Sequence, residues 1–190
     1  MILDKKHALQ QKLFREFAET EFTKELQDRL DQSGEFEWDI FKKMASYGFT
    51  GVKIPRKYGG TGSDSLTYVL MVEEFARQDA VLSIYVNTSN SLGGGPIMLA
   101  GSEEQKMKYL PKIASGEEVI AFGLTEPGAG SDAGGTATTA VKDGDDYIIN
   151  GRKTFISGAP VADWIICFAK TDPSQKGSKG ISMFIVDMKA

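Results

Sequence analysis

The feature that most constrains this chain is a change of character near residue 117. Before that point, apolar residues recur at helical spacing among many charged residues, and after it short apolar runs alternate with glycine-containing turns. A 3.6-residue period predicts helices, whereas short runs bounded by Asp-Gly or Asn-Gly pairs predict strands. We therefore predict an α+β protein, with an all-α helical domain over 1–116 and an antiparallel β-barrel-like domain over 117–190.

The helical half contains several segments separated by recognisable start and stop signals. Ser102 and Gln105 match a capping box that starts one helix, within which Pro111 predicts a kink or an early end. Residues 93–96, Gly-Gly-Gly-Pro, argue against an unbroken helix across a stretch of low charge. The predicted helices cover residues 4–31 as one or two helices, about 38–47, 65–77 with Ser65 as the cap, 80–100, and 103–115.

The second half contains six predicted strands. Asp143-Gly144 and Asn150-Gly151 are strong signals for tight turns between such strands. Residues 171–179 have the composition of an exposed loop. The predicted strands cover residues 119–124, 136–141, 147–149, 154–156, 164–169 and 181–186.

Composition excludes several classes of function. The net charge is −4, and without a strong basic patch we expect no nucleic-acid partner and no anionic membrane. No apolar run approaches the roughly 20 residues of a membrane span, and the first residues lack the apolar region of a signal peptide. A single cysteine, Cys167, excludes an internal disulfide and suggests a reducing compartment, so we expect a cytoplasmic protein.

The stretch from Val119 to Asp132 is the main candidate site. An apolar run of strand length stops at Pro127, and small-residue turns follow that would let backbone amides approach a flat or phosphorylated ligand. We infer a nucleotide-bearing cofactor there, although a β-turn that merely caps a sheet fits the residue chemistry equally well. Gly128-x-Gly130-x-x-Ala133 formally fits the dinucleotide fingerprint, but a turn and strand follow it instead of the required helix.

Other catalytic chemistries find little support. No G-x-S-x-G elbow is present, and His7 is the only histidine, on a charged helix where we expect a solvent-facing side chain. Cys167 lies in an apolar strand and is expected to be a buried structural residue. A metal site built on histidine and cysteine is therefore not expected.

Several motifs, in order and across nearly the whole chain, resemble the flavin-dependent acyl-CoA dehydrogenase family. The most specific is the block from Leu124 to Asp132, Leu-Thr-Glu-Pro-Gly-Ala-Gly-Ser-Asp. The other motifs are Ile54-Pro55, Tyr58-Gly59-Gly60, Gly101-Ser102-Glu103-Glu104-Gln105-Lys106, Tyr109-Leu110-Pro111 and Asn150-Gly151-Arg152-Lys153-Thr154-Phe155-Ile156-Ser157. The relatives most similar in character are the butyryl-CoA and enoyl-CoA reducing branches.

The resemblance implies an N-terminal helical domain, a middle β domain and a C-terminal helical domain, of which the third is absent here. It also implies FAD as cofactor. Phe122, Leu124 and Thr125 would line the isoalloxazine, with the amides of the last two and the Thr125 hydroxyl facing its pyrimidine edge. The remaining implied contacts are Gly130 and Ser131 at the pyrophosphate and the pantetheine arm, and Phe155, Ile156 and Ser157 beside the flavin, with Ser157 near N5.

The implied reaction is α,β-dehydrogenation of an acyl-CoA thioester or its reverse, with an electron-transferring flavoprotein as partner and a homo-oligomer as the assembly. The family's glutamate base lies in the absent domain, so no catalytic residue is assigned and the chain alone should be inactive. Ser83 and Asn87, with Ser131, are the implied substrate contacts. Because no arginine stands between Arg77 and Arg152, a dicarboxylyl substrate is disfavoured, and short, uncharged or aromatic acyl chains are preferred.

A second hypothesis remains open. The chain could be a non-catalytic flavin or acyl-CoA binding module, or an interaction module, derived from a truncated dehydrogenase. A downstream coding region for the helical domain would favour the enzyme, whereas a genuine stop after Ala190 would favour the module.

Overall fold

A computed structural model describes residues 3–189 of the chain. The chain divides into two compact units, Met1–Val119 and Ile120–Ala190. The first unit is helical and the second is built on a five-stranded sheet. The predicted succession of a helical part and a β part is confirmed.

The helical unit begins most of its helices at side chains that accept a hydrogen bond from the first turn. Asp4, Thr23, Asp64 and Asp79 act as such caps, and Ser102 and Gln105 form the predicted capping box. The helices are α1 (Lys5–Glu21), α2 (Lys24–Ser33), α3 (Trp38–Ser46), α4 (Ser65–Gln78), α5 (Ala80–Asn87), α6 (Gly94–Ala100) and α7 (Glu103–Ser115).

Three details differ from the sequence predictions or refine them. Residues 4–31 form two helices, and Asp64, not Ser65, caps α4. The helix predicted over 80–100 is interrupted, but a π-helical turn, Thr88–Leu92, joins α5 to α6 just before the glycines, and Gly94 and Gly95 begin α6. The early end predicted at Pro111 does not occur, because α7 continues to Ser115.

An aromatic cluster forms the core of the helical unit. Phe17 of α1 contacts Phe22, Phe49 and Phe75, with ring centroids 5.0–5.9 Å apart. Burying one such side chain contributes roughly 1.5–3 kcal/mol, so the cluster holds α1 on α4. Leu9 and Leu13 of α1, which share its predicted apolar spacing, lie instead 69% and 44% exposed.

The second unit contains five strands in one mixed sheet. The strands are β1 (Ile120–Gly123), β2 (Thr139–Asp143), β3 (Asp146–Asn150), β4 (Trp164–Lys170) and β5 (Ile181–Asp187). Strand β4 pairs antiparallel with β5 along its length, while β1 and then the start of β2 pair parallel to its other edge. A tight turn with Gly144 at φ 61° joins β2 to β3 in an antiparallel hairpin.

The prediction of an antiparallel barrel-like domain is therefore wrong in two respects. The sheet is mixed, and it does not close into a barrel. Tight-turn signals specify only neighbouring strands, whereas β1 and β4 are separated by a long connection that allows parallel pairing. Residues 154–156 form no strand, because Phe155 has a φ of 56° that is incompatible with extended backbone.

No helix in the described part of the chain combines the length and the apolar character that a bilayer span requires.

Candidate functional site

The candidate site is built on the chain that leaves β1. Glu126 and Ala129 exchange two backbone hydrogen bonds of 3.0 and 3.1 Å, which close a β-turn with Pro127 and Gly128 at its centre. Gly130 and Ser131 follow on the exposed side of this turn. The apolar strand thus ends in a sharp turn, as the small residues predicted.

A buried ion pair lies directly behind this turn. The Lys153 ammonium is 2.7 Å from Glu126 Oε1 and also donates to the Leu124 carbonyl and to Thr136 Oγ1, both at 3.1 Å. The two side chains are only 9% and 4% exposed. Since an ammonium has three protons, Lys153 uses its complete donor capacity here.

The Glu126 carboxylate is held in its ionised form. It accepts hydrogen bonds from Lys153, from the Thr136 hydroxyl, and from the amides of Ala137 (2.6 Å) and Thr138 (3.0 Å). Burial alone would raise the pKa of Glu126, but these donors outweigh it and place the pKa well below the usual range. An ionised, fully bonded carboxylate of this kind is a structural anchor.

A second segment is tied to the same turn. The Thr154 amide donates to the Thr125 carbonyl at 2.9 Å, and Lys153 comes immediately before it. The residue that follows, Phe155, adopts a left-handed φ of 56° and leaves its ring 90% exposed. Gly151 permits a close approach to Thr138, just before β2, since a Cβ at this position would lie 2.2 Å from Thr138 Oγ1.

Unpaired amides complete the edge of the site. Within residues 3–189, the N–H groups of Leu124 and Thr125 donate to no protein acceptor. Both residues are half-buried, and the Thr125 carbonyl is bonded to Thr154, one residue before Phe155. Two unpaired backbone donors and an exposed aromatic ring on a neighbouring segment are the groups that a planar ligand with acceptors on its edge requires.

The structure brings together some of the predicted site residues and leaves others apart. Hydrogen bonds join Leu124 to Lys153 and Thr125 to Thr154, so these two predicted residues are tied to the chain that leads into Phe155, Ile156 and Ser157. Phe122 is half-buried and contacts Phe168 edge to face at 5.4 Å. Gly130 and Ser131 lie on the following turn and have no described contact with Phe155.

Ser83 and Asn87 belong to the helical unit and already have local partners. The Ser83 hydroxyl is buried and donates to the Ala80 carbonyl at 2.7 Å. Asn87 Oδ1 accepts from the Tyr68 hydroxyl at 2.6 Å. Cys167 is buried as predicted, and burial raises the pKa of its thiol, which disfavours a nucleophilic role.

Lys153 and Thr136 are site residues that sequence reasoning missed. Lys153 lies in the motif from Asn150 to Ser157. No local pattern shows that its side chain contacts Glu126, which lies on the other side of the β2–β3 hairpin in the chain. The available signal is weak: one acidic residue next to Thr125 and one basic residue next to Thr154.

Family models identify the class of protein. The model of the acyl-CoA dehydrogenase N-terminal domain matches residues 4–117, and that of the acyl-CoA dehydrogenase middle domain matches residues 121–190. The chain belongs to the acyl-CoA dehydrogenase family, which confirms the resemblance seen in the sequence.

Two curated relatives, both reductases, are similar to the chain along its whole length. The chain is 53% identical over 190 residues to the caffeyl-CoA reductase-Etf complex subunit CarC of Acetobacterium woodii, covering 100% of this chain and 50% of that protein. It is 54% identical over 189 residues to the 3-(aryl)acrylate reductase of Clostridium sporogenes, with the same coverages of 100% and 50%. The chain thus spans about half the length of the curated relatives it matches.

A solved structure shows the same fold with a cofactor. The acyl-CoA dehydrogenase of Bacillus anthracis complexed with FAD superposes with a TM-score of 0.86 at 36% identity, covering 97% of this chain and 31% of that one. The fold described above is therefore shared with a protein that binds FAD.

Proposed function

We propose that this chain is the FAD-facing portion of an acyl-CoA dehydrogenase or enoyl-CoA reductase, which interconverts an acyl-CoA thioester and its α,β-unsaturated form. The observation that carries the proposal is the exposed Phe155 ring at a left-handed φ, one residue after Thr154, whose amide bonds the Thr125 carbonyl, together with the unpaired amides of Leu124 and Thr125. Strain and exposure of this kind persist where a ligand uses them. FAD, when bound, supplies the acceptor or donor of a hydride equivalent.

The protein groups in this proposal act by binding and orientation. The amides of Leu124 and Thr125 donate to the edge of the isoalloxazine, and Phe155, with Ile156 and Ser157, covers a face of it. Donors fixed before the ligand arrives stabilise negative charge on that edge without reorganisation. The proposed contacts beyond the ring system are Phe122 beside the isoalloxazine, Gly130 and Ser131 at the pyrophosphate, and Ser83, Asn87 and Ser131 at the substrate.

We place the catalytic base outside these 190 residues. Glu74 and Glu126 are the buried glutamates of the described chain. The hydrogen bonds of Arg15 lower the pKa of Glu74, opposed by burial, and Gln11 adds a further donor. Since both carboxylates are already ionised and committed to cations, neither is poised to take a proton at neutral pH.

We infer an uncharged, aromatic acyl-CoA as the substrate class and an electron-transferring flavoprotein as the partner. This rests on the relatives, one called a 3-(aryl)acrylate reductase and another a subunit of a caffeyl-CoA reductase-Etf complex. We also infer a homo-oligomer, as the family resemblance implies, and a cytoplasmic location, which agrees with the single cysteine.

An equilibrium titration tests the proposal. The 190-residue chain should change the visible spectrum of FAD saturably, and the FAD-loaded chain should not turn over an acyl-CoA in either direction. Absence of any saturable spectral change, even at protein and FAD concentrations suited to weak binding, would contradict the assignment of a flavin site. Robust turnover would contradict the placement of the base outside the chain.

A further inference from the structure

We propose that Lys153 is a positioning residue that turns the Thr125 N–H toward the cofactor. This inference rests on the proposed function, because it concerns how the flavin edge is prepared. It concerns a residue that the proposed ligand does not touch, since Lys153 is 9% exposed and directs its ammonium inward.

One peptide unit connects Lys153 to the Thr125 N–H. The Leu124 carbonyl and the Thr125 N–H belong to the same trans peptide, so they point in opposite directions. Lys153 donates to that carbonyl at 3.1 Å from the buried side. The Thr125 N–H is therefore directed away from the ion pair, and it has no acceptor within residues 3–189.

The lysine itself is fixed from three sides. Its other two protons go to Glu126 and to Thr136, and Glu126 is anchored in turn by the amides of Ala137 and Thr138 just before β2. A chain of hydrogen bonds from the residues before β2 through Glu126 and Lys153 thus fixes the direction of the Thr125 amide. Charge-assisted bonds of this kind are stronger and more directional than neutral ones.

The neighbouring peptide is fixed by a separate contact. The Thr125 carbonyl accepts from Thr154, and the N–H of the same peptide, on Glu126, donates to Ala129 at 3.0 Å. Two consecutive peptides after β1 are therefore held by the segment that leads to Phe155. Because Lys153 immediately precedes Thr154, loss of its contacts should increase the mobility of both the Leu124 and Thr125 amides and the Phe155 ring.

The variants must separate positioning from a general loss of stability. Lys153→Met alone leaves Glu126 buried and unpaired, which can unfold the domain. The double variant Glu126→Gln with Lys153→Met removes both charges and avoids this. Lys153→Arg keeps a buried cation, and Lys142→Met removes an exposed lysine of β2 in the same unit as the matched control.

The first measurement needs no flavin. In ¹³C,¹⁵N-labelled chain, the double variant should shift the carbonyl resonance of Leu124 and accelerate hydrogen exchange at Thr154, while Lys142→Met should leave both at their wild-type values. Lys153→Arg should lie closer to wild type than the double variant. If the double variant folds and leaves both signals unchanged, the inference is overturned.

The second measurement is FAD affinity. We expect the double variant to bind FAD about tenfold more weakly, which is the effect of disordering one oriented donor, with partial recovery in Lys153→Arg. Lys142→Met should bind as wild type does. Equal affinity in wild type and the folded double variant would overturn the inference, whereas a wild-type chain that binds no FAD would overturn the proposed function and leave the exchange measurement to decide on Lys153.

Discussion

Phe155 combines two features that are unfavourable in an isolated domain. A β-carbon in the left-handed region costs roughly 1–2 kcal/mol, and an aromatic ring that is 90% exposed contributes no burial in return. The hydrogen bond from Thr154 to Thr125 holds the backbone just before it. The ring is therefore presented outward at a cost that ligand binding can offset.

Replacement of Phe155 should separate stability from binding. Phe155→Gly should be about 1 kcal/mol more stable than Phe155→Ala, because glycine relieves the left-handed strain. Both variants should lose FAD affinity, since each removes the aromatic face, whereas Phe155→Trp should retain it. Chemical denaturation and FAD titration measure the two effects.

Tyr147, which is 46% exposed on β3, provides the matched control. Tyr147→Ala removes an exposed aromatic ring from the same unit but should leave FAD affinity unchanged. An equal loss of affinity in Tyr147→Ala and Phe155→Ala would argue against a specific role for Phe155.

At the scale of elements, His7 joins the starts of two helices. Its Nδ1 lies 2.9 Å from Asp4, the cap of α1, and its Nε2 lies 3.1 Å from Asp64, the cap of α4. The side chain is 11% exposed, so the expectation of a solvent-facing histidine was wrong. The bond to Asp64 raises the pKa of His7, burial opposes this, and Asp4 adds to it, while Lys6 also contacts Asp64.

This arrangement predicts a pH-dependent stability. Because the folded pKa of His7 lies above its unfolded value of 6.5, its contribution is fully present below pH 6.5 and is lost as pH rises through the folded pKa. The difference in thermal midpoint between wild type and His7→Gln should therefore be larger on the acid side than on the alkaline side. A difference in thermal midpoint that is constant or grows with pH would contradict a stabilising contact of protonated His7 with Asp4 and Asp64.

The π-helical turn between α5 and α6 depends on one glycine. A Cβ on Gly94 would lie 2.2 Å from the Ser89 carbonyl oxygen, whereas a Cβ on Gly95 meets nothing within 4 Å. Gly94→Ala should destabilise the chain by about 1–3 kcal/mol through overpacking. Gly95→Ala should be neutral or stabilising by up to about 1 kcal/mol, because alanine favours the helix.

Urea denaturation of both glycine variants, followed by the helical signal, checks this pair. Similar stabilities for the two variants would show that the π turn adjusts to a side chain at Gly94.

At the scale of the whole molecule, local signals predicted most elements and few long-range relations. The capping box at Ser102, the hairpin at Gly144 and the interruption near Gly94 could all be predicted because each depends on neighbouring residues. The parallel pairing of β1 with β4 could not, because strands far apart in the chain leave no local signature of their direction.

The candidate site divides in the same way. The turn after β1 and Phe155 both lie in motifs that can be recognised in the sequence, and the family resemblance implied that these motifs bind FAD. The reach of Lys153 to Glu126 and the left-handed backbone at Phe155 arise only when the two segments meet in the folded unit. Sequence reasoning consequently predicted a strand at 154–156 where the structure has an irregular segment.

We propose that residues 124–125 and 155–157 together form the surface that receives FAD. A titration of the ¹⁵N-labelled 190-residue chain with FAD, followed by amide NMR, tests it most directly and also detects weak binding. We expect saturable shifts concentrated at Leu124, Thr125 and Phe155, with the β2–β3 hairpin unaffected. Shifts confined to other surfaces, or no saturable shifts at these residues, would contradict it.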